Sequence, residues 1–294
     1  MRLVFKKCFM KDIKVLLIGG HGLLGQSLQE EFKKNEFRNV FTCSRESLNS
    51  ENHIQGDLLD ILLVNKIIDL QFDLIINLTG QITKPIEDCL ALNTVGIENL
   101  IQIIQQSPNC KLIHISTVGV YGTCQFADEL SVVNPETPYS TAKCIAEKLL
   151  LSKLHSENLV IFRVSNLYGD KQLKGVFAYL KRASQSDQIL DFDNDGSLVR
   201  FFIYVKDCAS IIVEFINNHI QNSSGIFNII GSDRYSLIEL ISLFEEINEM
   251  KFKINLEAAK PCDNAMNISD KKIRNLFNYS LKMNINSYLN TINL

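Results

Sequence analysis

Hydrophobic positions along the chain fall into two alternating kinds of segment. Short, continuous apolar runs occur at Val15–Ile18, Val40–Cys43, Phe72–Leu78, Lys111–Thr117 and Val160–Val164. Between them lie longer stretches with apolar residues at helical spacing: Leu23–Phe32, about Leu59–Leu70, about Ile86–Gln106 and Tyr139–Leu154. An alternating strand has one wet face, whereas a continuous apolar strand is covered on both. Strands of that kind, alternating with helices, predict an α/β fold with a doubly wound parallel sheet, whose ligands sit at the carboxyl ends of the strands. Beyond Asn166 the pattern loosens. Helical stretches at Val176–Ser184 and Ser236–Asn248 alternate with short strands such as Gly225–Ile229, which predicts a smaller α+β lobe, partly interleaved with the first.

The first strand runs into KVLLIGGHGLLG, a turn carrying Gly19, Gly22 and Gly25. Strand, glycine turn and helix in that order suit a dinucleotide pyrophosphate. The first glycine permits the turn, the second lets backbone approach phosphate, and the third lets the helix pack close, with its free N–H groups aimed at the anion. The expected division is therefore 12–165 for dinucleotide binding and 166–294 for substrate, a Rossmann-like architecture. Bulk properties add only exclusions. A net charge of -3 gives no electrostatic case for nucleic acid or an anionic membrane. No apolar run approaches the ~20 residues of a membrane span. The eight cysteines lack C-x-x-C pairs, so neither a disulfide framework nor a metal site is expected, and a cytoplasmic location is. Residues 1–9 read as a loose extension ahead of Met10 or as a mis-assigned start.

Tyr139 and Lys143 are four apart in PYSTAKCIAEKLL, which puts both on one helix face. An ammonium beside a phenol stabilises the phenolate and makes the tyrosine a usable acid and base near neutrality. Thr117 ends the strand KLIHIST at its carboxyl edge, where its hydroxyl can share a substrate oxygen with Tyr139.

From these pieces the chain resembles an extended short-chain dehydrogenase/reductase of the NAD-dependent, nucleotide-sugar epimerase/dehydratase group. The resemblance runs nearly end to end: GGHGLLG, GDLLD, NLTG, Asn93 in LNTVG, ISTVGVYG, YSTAK, RVSNLYG, RFFIYVKDCA and the late DNAMNISDKKIRNLF, in the family's order. It implies a catalytic set of Thr117, Tyr139 and Lys143, with Tyr139 and Lys143 also against the cofactor. It implies a cofactor site of Gly19, His21, Gly22, Leu23, Leu24, Gly25, Ser44, Arg45, Asp57, Leu58, Leu78, Thr79 and Gly80. Thr117, Asn166 and Arg200 would hold the nucleotide-diphosphate sugar, with Arg200 on the diphosphate. A homodimer through helices near 90–106 and 139–154 is a further implication.

Three departures narrow the reading. Family 4,6-dehydratases carry Asp-Glu after the catalytic Thr, where this chain has Val118-Gly119, so dehydration is not expected. The second strand ends in Ser44-Arg45 without a carboxylate, which favours NADP over NAD. Lys260-Pro261-Cys262-Asp263 stands where a second phosphate-binding arginine is common. The expected activity is hydride transfer at a ring carbon, C4, of a nucleotide-activated sugar, as epimerase or keto-sugar reductase. The alternatives are a non-catalytic NADP-binding regulatory protein or a reductase of a non-nucleotide ketone. The loops around Lys84–Pro85 and Gln125–Glu136 are expected to set the substrate.

Overall fold

The computed structural model describes residues 10–80, 85–258 and 263–291. The expectations for residues 1–9, Lys84 and Lys260 lie outside them. In chain order the first elements are β1 (Lys14–Ile18), α1 (Leu23–Lys34), β2 (Asn39–Ser44), β3 (His53–Gln55), α2 (Ile61–Leu70), β4 (Leu74–Asn77), α3 (Ile86–Asn93), α4 (Val95–Gln105), β5 (Lys111–Thr117), α5 (Pro138–Lys153) and β6 (Leu159–Val164). They are followed by β7 (Asn166–Tyr168), α6 (Val176–Ser184), β8 (Ile189–Phe192), β9 (Val199–Tyr204), α7 (Val205–Asn218), β10 (Gly225–Ile229) and β11 (Asp233–Ser236). The last are α8 (Leu237–Ile247), β12 (Lys253–Leu256), α9 (Lys271–Arg274) and α10 (Ile285–Leu289).

Seven parallel strands form the central sheet in the order β10-β6-β5-β4-β1-β2-β3. The continuous apolar runs follow from burial on both faces. Val15 and Leu17 of β1 face a core built with Leu28 and Phe32 of α1 and Phe215 of α7. Leu16 and Ile18 face the opposite core, with Val64 of α2, Leu100 of α4 and Leu150 of α5. Strand reversal beside β1 opens a crevice at the carboxyl ends, and the site lies there.

Two of the departures from the sequence reading have a local side-chain cause. The helix expected over 86–106 is broken at Thr94, where φ is -121° and ψ is -81°. The Thr94 hydroxyl donates to the Leu90 carbonyl at 2.7 Å, and the buried Asn93 amide donates to the carbonyls of Cys89 and Gly80. Side chains of this kind compete with the helical ladder and open it. The helix expected from Leu59 starts at Ile61, because the Asp60 side chain caps it by accepting from the Leu62 N–H at 2.9 Å.

Strand Gly225–Ile229, expected in the smaller lobe, pairs with β6 in the central sheet, and α7 supplies the layer packed on α1. The second lobe consists of a three-stranded sheet, β11-β9-β7, and the pair β12-β8. Its core gathers Tyr168, Phe177, Leu180, Phe202, Leu240, Phe244 and Tyr288. The late block returns beside the loop after β5 through bridges Cys124–Ala265 and Ala127–Ile268. Among the described residues no helix is long and apolar enough to cross a membrane.

Candidate active site

The glycine turn is built by backbone contacts that leave no room for side chains. Gly19 has φ +81° and donates its N–H to the Cys43 carbonyl at 2.9 Å. A Cβ on Gly25 would lie 2.4 Å from the Gly20 carbonyl oxygen, so the first turn of α1 presses directly on the loop. Gly22 caps α1 with extended backbone and offers no side-chain acceptor, and the first turn carries no acidic residue. The helix start is thus left open toward the crevice, the arrangement that receives a phosphate.

Three adjoining cavities follow from this turn. One of about 590 Å³ is lined by Gly19, His21, Gly22, Ser44, Arg45, Asp57, Leu58, Leu78, Thr79 and Gly80. The next, about 350 Å³, shares Gly19, Gly22 and Leu78 and adds Leu23, Leu24, Gly25, Thr117, Tyr139 and Asn166. The smallest, about 110 Å³, shares Thr117, Tyr139 and Asn166 and adds Arg200 and Asp263. Every predicted site residue except Lys143 lines this run of cavities. The trough fits a dinucleotide: its turn cannot take side chains, and the Ser44 hydroxyl at its far end is buried without a hydrogen-bond partner.

Tyr139 sits in the first turn of α5, behind Pro138, and is half-buried. Thr137 and Ser140 form a capping box at this helix start. One turn on, Lys143 is fully buried and donates from Nζ to the carbonyls of Thr79 at 2.8 Å and Ile115 at 3.0 Å. Burial pushes its pKa down to about 7, with the nearby Cys89 thiol and Glu147 pulling the other way. Lys143 therefore forms a floor beneath Thr79 and Ile115 rather than a wall. The Thr117 hydroxyl accepts from the Gly119 N–H at 3.1 Å, which fixes the oxygen at the strand end while leaving its proton for another acceptor.

The cofactor side of that floor is held by a polar chain. Asn77 Oδ1 accepts from the Thr79 N–H at 3.1 Å and from the Thr79 hydroxyl at 2.7 Å. Its Nδ2 lies 3.1 Å from His114 Nδ1. His114 is held far below the ordinary histidine range by burial and then by the Lys143 ammonium, so it stays neutral. Gly80, at φ +75°, rests against Asn93, whose amide would lie 2.5 Å from any Cβ added there.

On the substrate side, Asn166 Nδ2 donates to the Phe201 carbonyl at 3.1 Å, and Arg200 Nη1 donates to the Asp263 carbonyl. The Asp263 carboxylate is buried and accepts from the Glu136 N–H at 2.6 Å, from Thr137 Oγ1 at 2.7 Å and from Ser140 Oγ. One residue therefore ties Arg200 to the start of the helix that carries Tyr139. Beneath α5, Glu147 forms a buried ion pair with Arg163 at 2.7 Å and accepts from Ser116 Oγ.

Asp263 and Lys174 are among the lining residues that escaped sequence reasoning. Asp263 has its carboxylate partners more than 120 positions away, and no local pattern marks it. Lys174 reaches the largest cavity from the loop after β7, which is tethered to α1 by the Lys171–Glu30 ion pair at 3.3 Å. Its only signal was a lysine near Gly169 and Gly175.

Among known proteins, the chain is 25% identical to the CDP-paratose 2-epimerase of Salmonella typhi, covering 92% of this chain and 95% of the relative. It is 28% identical to the methionine adenosyltransferase 2 subunit beta of Xenopus tropicalis, covering 77% and 70%. Its fold matches the UDP-glucuronic acid 4-epimerase of Bacillus cereus, solved with UDP-glucuronic acid and NAD, at TM-score 0.82, 24% identity and coverage of 94% and 96%. It also matches the dTDP-glucose 4,6-dehydratase of Bacillus anthracis str. Ames, solved with NAD, at TM-score 0.80, 21% identity and coverage of 95% and 94%. A family model matches residues 15–229, and the chain belongs to the NAD dependent epimerase/dehydratase family.

Proposed function

We propose that this chain is an epimerase acting by reversible oxidation at a ring carbon, C4, of a nucleotide-diphosphate sugar. The observation that carries the reading is the shared wall of the cavities. Thr117, Tyr139 and Asn166 line both the cavity that opens on the glycine turn and the one that holds Arg200. A hydroxyl-bearing ring carbon at that junction meets the cofactor from one side and Tyr139 from the other.

In this reading Arg200 grips the diphosphate and Asn166 orients the sugar. Tyr139 takes the proton of the ring hydroxyl as the carbonyl forms and returns it when the carbonyl is reduced from the opposite face. Thr117 donates to the same oxygen and holds it beside Tyr139. The buried Lys143 acts from below, holding the Thr79 and Ile115 carbonyls and supplying positive charge one helical turn from the phenol. A bound nicotinamide supplies the hydride acceptor and donor, so the net cycle consumes no oxidant. Dehydration is not part of the proposal. Val118 and Gly119 bear no acid or base, and a Cβ at position 119 would lie 3.3 Å from Asp263 Oδ2, so a carboxylate there would meet like charge.

One observation favours a second outcome of the same machinery, an NADPH-dependent keto-sugar reductase. β2 ends at Ser44 and Arg45 follows, both lining the largest cavity, with no carboxylate at the strand end before Glu46. We further propose a homodimer through α3, α4 and α5, where Leu90, Val95, Ile145 and Leu151 are exposed.

The test incubates purified protein with UDP-, CDP-, GDP- and dTDP-sugars in the presence of NAD or NADP and follows sugar interconversion and cofactor absorbance. Interconversion without net NAD reduction, lost in Tyr139→Phe, is the expected result. Stoichiometric NADPH consumption selects the reductase. Cofactor binding with no turnover of any nucleotide-sugar refutes the nucleotide-sugar reading and leaves a regulatory protein or a reductase of a non-nucleotide ketone.

A further inference from the structure

His21 lines the largest cavity and packs against a second histidine, and the proposed chemistry uses neither. His21, from the glycine turn, and His53, from β3, meet with ring centroids 5.1 Å apart in a T-shaped arrangement. His53 Nε2 lies 2.8 Å from the Glu46 carbonyl oxygen, which can only accept, so Nε2 carries the proton. His53 Nδ1 is then an acceptor. Thr42 Oγ1 donates to it at 2.9 Å, and His21 Nε2 stands 3.4 Å away with its N–H turned toward the same lone pair. His21 is thereby held as the Nε2–H tautomer, with a lone pair on Nδ1.

His21 shares its cavity with Ser44 and Arg45, at the strand end where this fold presents the ribose hydroxyls of a dinucleotide. That strand end lacks the usual carboxylate acceptor. We propose that His21 takes its place and reads the substituent on the ribose 2′ carbon. The neutral ring accepts from a 2′-hydroxyl and selects NAD. The protonated ring keeps its bond to His53, gains an Nδ1–H donor and a positive charge, and selects NADP beside Arg45. The inference rests on the dinucleotide reading of the cavity and deepens it.

The charges that face the pair settle which form prevails. From the end of β2 come Arg45 and Glu46, and from the turn after β3 comes Asp57. Asp88 of α3 and Lys174 of the crossing loop complete the cavity wall. Burial and then His53 lower the His21 pKa below its usual 6.5, and Glu46 partly opposes them. Neutral solution thus holds the hydroxyl-reading form, and acid the phosphate-reading one.

Calorimetric titration of cofactor-free protein with NAD and with NADP, at about pH 8 and about pH 5.5, tests this directly. The NADP-to-NAD affinity ratio is expected to rise about tenfold on acidification, the worth of one charge-assisted hydrogen bond. In His21→Asn, which cannot titrate, that rise is absent. The second ionisation of the 2′-phosphate, near ~6, acts alike on both proteins and cancels in the comparison. Parallel pH dependence in wild type and His21→Asn overturns the proposal. Binding of neither dinucleotide at either pH instead overturns the cofactor reading beneath it.

Discussion

Lys143 gives the chain a stability cost that pH can switch off. The side chain is 0% exposed, its hydrogen-bond partners among the described residues are two backbone carbonyls, and its pKa falls from 10.5 to about 7 through burial. Below pH 7 both folded and unfolded chains carry the proton, and the folded state bears a penalty of about 5 kcal/mol. Between pH 7 and about 10.5 the unfolded chain binds the proton and the folded chain increasingly does not. The unfolded state then holds more protons, so stability rises with pH across that window and the penalty is gone above it. From pH 7 to pH 9 the relief is about 2 kcal/mol. With an unfolding entropy of roughly 2.1 cal/mol/K per residue, 294 residues convert this into about 4 °C in Tm.

The assay is thermal unfolding of cofactor-free wild type and Lys143→Met at pH 7 and pH 9. Methionine keeps the apolar stem and length without the charge. Taking the difference between the two proteins removes titrations they share, including the buried thiols of Cys43 and Cys110, both pushed up to about 12. Wild type is expected to gain about 4 °C on the variant over this interval. A difference that stays flat, or that narrows as pH rises, refutes a desolvated lysine at this position.

Other perturbations follow from the same contacts. Gly25→Ala places a methyl 2.4 Å from the Gly20 oxygen, so the turn must open; dinucleotide affinity, read by calorimetry, is expected to fall at least tenfold. Glu147→Ala leaves Arg163 charged in a site where both side chains are under 5% exposed, and chemical denaturation is expected to show a loss of about 3 to 5 kcal/mol. Asp263→Ala removes the acceptor for the Glu136 N–H and two hydroxyls; hydrogen exchange of amides 136–141 is expected to speed up and global stability to fall by about 2 kcal/mol.

Legibility of the fold tracked how local each cause was. β5 and α6 match their expected spans, because a run buried on both faces and an amphipathic run each carry their own pattern. The break at Thr94 escaped, since its cause is an amide reaching Gly80, thirteen residues back. The central-sheet position of β10 escaped for a related reason: GIFNI reads as a strand, but nothing in five residues names β6 as its partner. In the site, the glycine turn, Thr117, Tyr139 and Arg200 were visible through motifs. The burial that moves Lys143 into the floor, and the carboxylate that joins Arg200 to α5, depend on contacts across the whole chain.

The strand β10 and helix α7 also decide how this protein can be recombined. The exposed edge of β6 and the outer face of α1 are both covered by residues 205–229, which follow the first segment of the second lobe. A crossover near residue 165 would hand the recipient a sheet with an unpaired edge and a bare apolar flank, the combination that drives edge-to-edge aggregation. Grafting a new specificity lobe therefore calls for two inserts, about 166–204 and 230–291, threaded into a scaffold that keeps 205–229. Within residues 166–291, inherited variation in substrate choice is expected to fall in those two windows, with the span between them behaving as part of the frame.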